Sequence, residues 1–158
     1  MDEEPLRGNG TANFIIIIII IIIIIIIIII IIRDLLTSHM SKVCRNVETE
    51  PLLQPLDNEI FNLQSTGTSR ETRLDMKAGG FWTPGVTAFF DVRVTHINSR
   101  SNQGKHTATI FKEQENEKKR KYNQRVMDVE MGTFTPLVFG TNGGDETRLS
   151  ELFKNSRK

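Results

Sequence analysis

Asp75 and Asp91 stand sixteen residues apart, each in a segment where apolar and polar residues alternate. Alternation of that kind predicts two strands, each with one solvated face. Two carboxylates on neighbouring strands can hold Mg2+ through oxygen ligands, the usual anchor for phosphodiester cleavage. Arg93 lies two residues beyond Asp91, so its side chain emerges on the same face, where a cation would stabilise charge on a scissile phosphate. The same spacing also describes two exposed acids on a half-solvated sheet, one of them paired with Arg93.

A second group lies downstream, in the run Glu117-Lys118-Lys119-Arg120-Lys121-Tyr122. On a helix, Lys118, Lys121, Tyr122 and Arg125 fall at i, i+3, i+4 and i+7, one basic face with an aromatic ring in it. Such a stripe can grip phosphates. It can equally be a solvated face, with Glu113, Glu115 and Glu117 forming intrahelical pairs. Residues 118–121 also fit a short nuclear-localisation pattern.

The elements that must position these residues follow from periodicity. Residues 33–44 predict an amphipathic helix with Leu35, Leu36, Met40, Val43 and Cys44 as its apolar positions. Val47 to Leu53 predicts a short strand closed by Pro51 and Pro55, and Asp57 to Ser69 a polar connection. Arg73 to Ala78 and Thr87 to His96 predict a hairpin through Gly79-Gly80 and Thr83-Pro84-Gly85. The second strand carries Ala88, Phe90, Val92 and Val94 on one face, and Phe89, Asp91, Arg93 and Thr95 on the other. Asn98 to Thr107 predicts a loop, Ile110 to Glu130 a long helix, and Thr133 to Phe139 a last strand with Pro136 at an edge or bulge. Leu149, Leu152 and Phe153 hint at a final helix. Helix, strand, hairpin, helix, strand is an α/β order.

Ahead of these elements, Ile15 to Ile32 is an unbroken run of eighteen isoleucines, following a polar flank at 1–14. As a helix it would extend roughly 27 Å, close to the thickness of a bilayer's hydrocarbon core. At about −0.3 to −0.6 kcal/mol per residue, insertion would be favoured by roughly 5 to 11 kcal/mol. Asp2, Glu3, Glu4 and Arg7 precede the run, whereas Arg33, Lys42 and Arg45 follow it. The positive-inside rule therefore predicts a single pass with the C-terminal domain in the cytosol. The segment lacks the basic n-region and small-residue cleavage site of a signal peptide. A pure homopolymer is also what a translated trinucleotide repeat produces.

Without those isoleucines the apolar share falls from 39% to about 31%, against roughly 45–50% in soluble domains on a scale that also counts Gly. The core is therefore expected to be small. A net charge of +1 leaves attraction for nucleic acid to local clustering. The lone Cys44 excludes an internal disulfide framework and a Cys-rich zinc site.

Taken in order, the segments RLDMKAGGFW, TAFFDVRVTHIN, EKKRKYNQRV and GTFTPLVFGTNGG resemble a family found near reverse-transcriptase genes in animal genomes. They are similar to the restriction-endonuclease-like, PD-(D/E)XK-type domain of non-LTR retrotransposons. The resemblance covers about 110 residues (33–144), with 145–158 as a clipped C-terminal helix. It implies a small restriction-endonuclease-like α/β core preceded by one hydrophobic helix. It implies Asp75 and Asp91 as Mg2+ ligands, and Lys118 and Lys121 as catalytic lysines with Tyr122 completing their motif. Arg93, Lys119, Tyr122 and Arg125 are the expected further DNA contacts.

Two departures stand out. Arg93 occupies the position of the family's usual lysine; an arginine stays charged but cannot act as a base, so the charge role passes to Lys118 or Lys121. The isoleucines also separate Asn13 from Arg33-Asp34, displacing the acidic position of the first helix. The upstream zinc knuckle and reverse transcriptase of such elements do not occur in this chain, which fits a decayed copy.

Three expectations follow. The first is a Mg2+-dependent DNA endonuclease domain from a mobile element, or its inactive remnant, with a reverse transcriptase of the same element as partner. The second is a single-pass membrane protein with a small non-catalytic cytosolic domain and the lipid bilayer as partner. The third is a nuclear binding module that uses residues 118–121.

Overall fold

The computed structural model describes residues 9–54, 73–141, 143, 144, 150 and 154. The connection at 57–69 and the helix expected around Leu149, Leu152 and Phe153 lie outside them.

The isoleucine run and the amphipathic segment after it form one helix, α1 (Asn9–Met40), with no break at residue 32. β-Branched side chains lose rotamer freedom in a helix. A helix nevertheless closes its backbone hydrogen bonds within the segment, which a strand without a partner cannot do. Ile15 to Ile24 are exposed on every side, each between 41% and 56%. From Ile25 onward one stripe turns inward: Ile25, Ile29, Ile32 and Arg33 are half-buried, while Leu36 and Met40 are buried. Steps of three and four residues mark a single helix face.

The chain then enters β1 (Arg45–Thr49), β2 (Met76–Gly79), β3 (Thr87–Thr95), α2 (Thr107–Asp128), β4 (Thr133–Gly140) and the two-residue β5 (Gly143–Gly144). The five strands form one mixed sheet in sequential order. β1, β2 and β3 are antiparallel neighbours, β3 and β4 are parallel, and β4 and β5 are antiparallel. The parallel step needs a crossover, and α2 supplies it.

Two strands differ from expectation in extent. β1 begins and ends earlier than 47–53: Glu50, at positive φ near 50°, ends the extended run, and Asn46, at a similar φ inside the strand, coincides with a register shift between Arg45 and Glu48. The strand predicted from Arg73 pairs continuously only from Met76; Arg73 makes an isolated bridge with Leu52. Pro136 faces Asp91 in the parallel register, and β5 pairs only with Phe139 and Gly140. At Pro136, β4 is therefore an edge among the described residues, where a missing N–H costs nothing.

The helices cover opposite sheet faces. Leu36 and Met40 of α1 pack with Met76, Ala78, Phe81, Phe90, Val92 and Leu137. Tyr122 and Val126 of α2 pack with Leu53, Leu74, Phe89 and Phe134. Phe89 and Phe90 thus serve different cores, as strand alternation requires. Gly132, between α2 and β4, permits a close approach: a Cβ there would lie 2.6 Å from the Thr87 carbonyl oxygen and 2.8 Å from the Phe89 ring. The result is a three-layer α/β domain with an apolar helix projecting from it.

Candidate functional site

Asp91 lies in the middle of β3, on the face that carries Phe89 and is covered by α2. Asp75 immediately precedes β2, and continuing the β2–β3 register from Met76↔Phe90 puts it opposite Asp91. Cross-strand partners share a face, and the two aspartates line one cavity. The charge of Asp91 is felt at the Asp75 carboxyl.

Each is held differently. Oδ2 of Asp75 accepts a hydrogen bond from the Val92 N–H, and the Asp75 backbone N–H donates to the Phe90 carbonyl. A side-chain oxygen thereby takes up a strand N–H. Burial is the main influence on the Asp75 carboxyl and pushes its pKa up to about 6. The Val92 N–H pulls it back down, the charge of Asp91 raises it further, and Lys118 and Arg33 lower it. Asp91 is itself only 6% exposed. Its Oδ2 lies 2.6 Å from the Lys118 ammonium, yet has no aligned hydrogen-bond partner. The contact is an ion pair off the donor direction, so this buried oxygen retains lone-pair capacity.

Lys118 reaches Asp91 because it occupies the buried stripe of α2. Phe111, Glu115, Lys118, Tyr122 and Val126 follow one another at steps of four, three, four and four, and all but Lys118 are buried. Two ammonium groups lie near the Tyr122 ring, Lys118 at 5.7 Å and Lys121 at 5.2 Å from its centroid. Such contacts favour the cations electrostatically. Lys118, Lys121 and Tyr122 all line the cavity with the two aspartates.

The remaining expected contacts stand apart. Arg93 emerges on the α2 face as predicted, but its guanidinium pairs with Glu117 at 3.0 Å and does not line the cavity. Asp91 pairs with Lys118 and not with Arg93, and neither acid is the exposed, solvated group that spacing alone allowed. Lys119 is exposed on α2. Arg125 donates to the Gln54 carbonyl at 2.8 Å. Asp34, the displaced acidic position, bonds Arg33 and stays outside the cavity.

Four residues were missed by the sequence reading. Arg33, Glu50 and Arg73 line the cavity, and Glu115 is buried at 3% exposure, not on a solvated face. Arg33 and Glu115 had a usable signal, since each falls on the apolar stripe of its helix, where a charge needs a reason. Glu50 and Arg73 had none, because an isolated bridge and a positive φ carry no periodicity.

The cavity has a volume of about 510 Å3 and an asymmetric lining. Ile26, Ile29 and Ile30 of α1 form an apolar wall, and charged groups face it. Among the described residues no group of three or more His, Cys, Asp or Glu side chains is placed to share a metal ion. Mg2+ is commonly held by one or two carboxylates, with water and substrate oxygens completing its shell. The carboxylates of Asp75 and Asp91 fit that smaller requirement.

No protein-family model, curated protein or solved structure matches this chain.

Proposed function

We propose that the domain is a divalent-cation-dependent phosphodiesterase of the restriction-endonuclease-like class, acting on DNA and derived from a mobile element. The observation that carries this reading is the convergence of Asp75, Asp91 and Lys118 on one cavity. The element order α1-β1-β2-β3-α2-β4 supports it, being the order that the resemblance implies.

Asp75 and Asp91 would hold Mg2+. When bound, the ion supplies Lewis-acid polarisation of the phosphate and lowers the pKa of attacking water. The residues of the chain do the rest. Lys118, held between Asp91 and the Tyr122 ring, offers a fixed positive charge where negative charge develops on the phosphate. Lys121, over the same ring, supplies a second. The half-buried setting keeps their dipoles and charges stronger than they would be in bulk water. Incubating supercoiled plasmid with the full chain and Mg2+ tests the reading. Nicking is expected, with at least a hundredfold loss in Asp91→Asn and in Asp75→Asn; nicking unchanged by either substitution removes the assignment.

The exposed isoleucines favour a second reading for location. α1 is long and apolar enough to span a membrane, with a mean hydropathy of 4.5 over its most apolar window. In that reading the catalytic domain is anchored at a bilayer on its cytosolic side; otherwise it is nuclear. Docking limits the span. Within the isoleucine run the stretch exposed without a break is Ile15 to Ile24, roughly 15 Å of helix against a hydrocarbon core of about 30 Å. A complete crossing needs Ile25 to Ile32 as well, and of these Ile26, Ile29, Ile30 and Ile32 pack on the sheet or wall the cavity. Full insertion would therefore strip that wall from the site. Carbonate extraction checks the anchor: retention in the membrane pellet supports it, and release excludes it.

A further inference from the structure

Arg33, Glu50 and Arg73 form an ion-pair cluster at the same cavity that the proposed chemistry does not use. Arg33 comes from α1, one residue past the isoleucines, and its Nη1 lies 2.5 Å from Glu50 Oε1. Arg73, two residues before Asp75, places its Nη1 3.1 Å from Glu50 Oε2. One carboxylate therefore receives a guanidinium on each oxygen. Guanidinium groups bind carboxylate and phosphate through the same planar fork. A phosphodiester, with two unesterified oxygens, fits the position that the Glu50 carboxylate occupies.

The backbone supports a special role for Glu50. It stands at φ 50°, a left-handed conformation that non-glycine residues seldom take. Its N–H donates to the Asp75 carbonyl at 2.8 Å, which ties it to the chain bearing the first acid. A residue held in an uncommon conformation between two cations, beside one buried and one half-buried acid, fits the pattern of strain kept at functional sites. Charge balance agrees. The cavity gathers four cationic side chains against three carboxylates, and a divalent ion on the two aspartates would leave a surplus suited to a polyanion.

We infer that Arg33 and Arg73 form a subsite for a second phosphate of the nucleic-acid backbone, next to the one cleaved, and that Glu50 fills this subsite in the free protein as a built-in competitor. The inference rests on the phosphodiesterase reading and names how its substrate is gripped. Substrate binding exchanges one anion for another on the same guanidinium pair. Glu50 then tunes affinity and release, while the aspartates and Lys118 conduct the chemistry.

The test is duplex-oligonucleotide binding by the full chain in detergent micelles, with Ca2+ replacing Mg2+ to hold back turnover, over a salt series. Glu50→Gln keeps the shape and removes the competing charge, so it is expected to tighten binding five- to tenfold. Arg33→Ala and Arg73→Ala are expected to weaken it about tenfold each. Each should also reduce the slope of log affinity against log salt by about 0.9, the value for one lost phosphate contact on duplex DNA. Arg33→Lys and Arg73→Lys should restore the slope, and with it any loss caused by misfolding is recognised. If the cluster is only a structural brace, Glu50→Gln weakens binding or leaves it unchanged, and that result overturns the inference.

Phosphatidylglycerol vesicles present the same phosphodiester chemistry from another source. A Glu50→Gln gain on such vesicles and none on the duplex overturns the nucleic-acid assignment. Asp91→Asn separates the two levels of argument, since it should abolish nicking and keep the parent's salt slope. Arginine and Glu50 variants that behave as the parent, beside an inert Asp91→Asn, overturn the subsite alone. A parent that neither binds nor nicks DNA overturns both.

Discussion

The two long helices reverse the usual relation between polarity and burial. α1 carries eighteen consecutive isoleucines and leaves Ile15 to Ile24 exposed, whereas α2 has a charged or amide side chain at most positions and is docked along its length. The difference lies in pattern. α2 presents Phe111, Glu115, Lys118, Tyr122 and Val126 as one stripe, which one sheet face can cover. An isoleucine homopolymer has no preferred face, so only the end near Leu36 and Met40 finds a sheet to pack on. Hydrophobicity sets how much a segment gains from burial; periodicity decides whether a single partner can provide it.

That contrast is most severely tested at the charged residue of the docked stripe. Asp91→Ala leaves the half-buried Lys118 without its counter-charge, and loss of a partner from a buried pair costs up to about 3–5 kcal/mol. Trp82, the only tryptophan, donates from its indole nitrogen to Thr135 Oγ1 and packs edge-on against Phe81. Its fluorescence during urea unfolding measures that loss. A change below 1 kcal/mol would mean that α2 docks through its apolar residues alone.

Next in size is the docked end of α1. Leu36 is 3% exposed in the core beneath that helix, and truncation to Ala is expected to cost about 2–5 kcal/mol in the same urea titration. An unchanged midpoint would show that α1 stands off the sheet along its whole length, and that its wall of the cavity is dispensable.

Asp75 gives a pH-dependent prediction of similar scale. Its pKa of about 6 in the folded chain lies above the ordinary 3.8. Between those values the folded chain holds a proton that the unfolded chain has released. The contribution of this group therefore grows as pH falls from above 6 to below 4, by about 3 kcal/mol in all. Asp75→Asn should flatten that part of the stability profile. A bound divalent ion favours the carboxylate, so metal affinity should rise with pH through 6; titration calorimetry at pH 5 and pH 7 compares the two.

The smallest effect is expected where the chain is most hydrophobic. Ile19 is 49% exposed with the domain elsewhere, and Ile19→Ala should change domain stability by less than about 0.5 kcal/mol. A larger change in the Trp82 signal would show that the projecting isoleucines have found a partner.

Periodicity alone made much of the domain legible. Alternation in Thr87–His96 placed Asp91 opposite the Phe90 core, and the i, i+3, i+4 pattern put Lys118 and Tyr122 on one helix face; both hold in the structure. These are local properties, written in sequence order because backbone geometry repeats every two or 3.6 residues. The tertiary structure decided which charges meet. Asp91 could have paired with Arg93, two residues away on its own strand. It pairs with Lys118, because the crossover packs the α2 stripe over β3 and carries Arg93 to Glu117 instead. Arg33, Glu50 and Arg73 come from a helix, a broken strand and an isolated bridge, and only folding brings them to one carboxylate. Coulombic partners are chosen by distance in space, and no period in the chain encodes that distance.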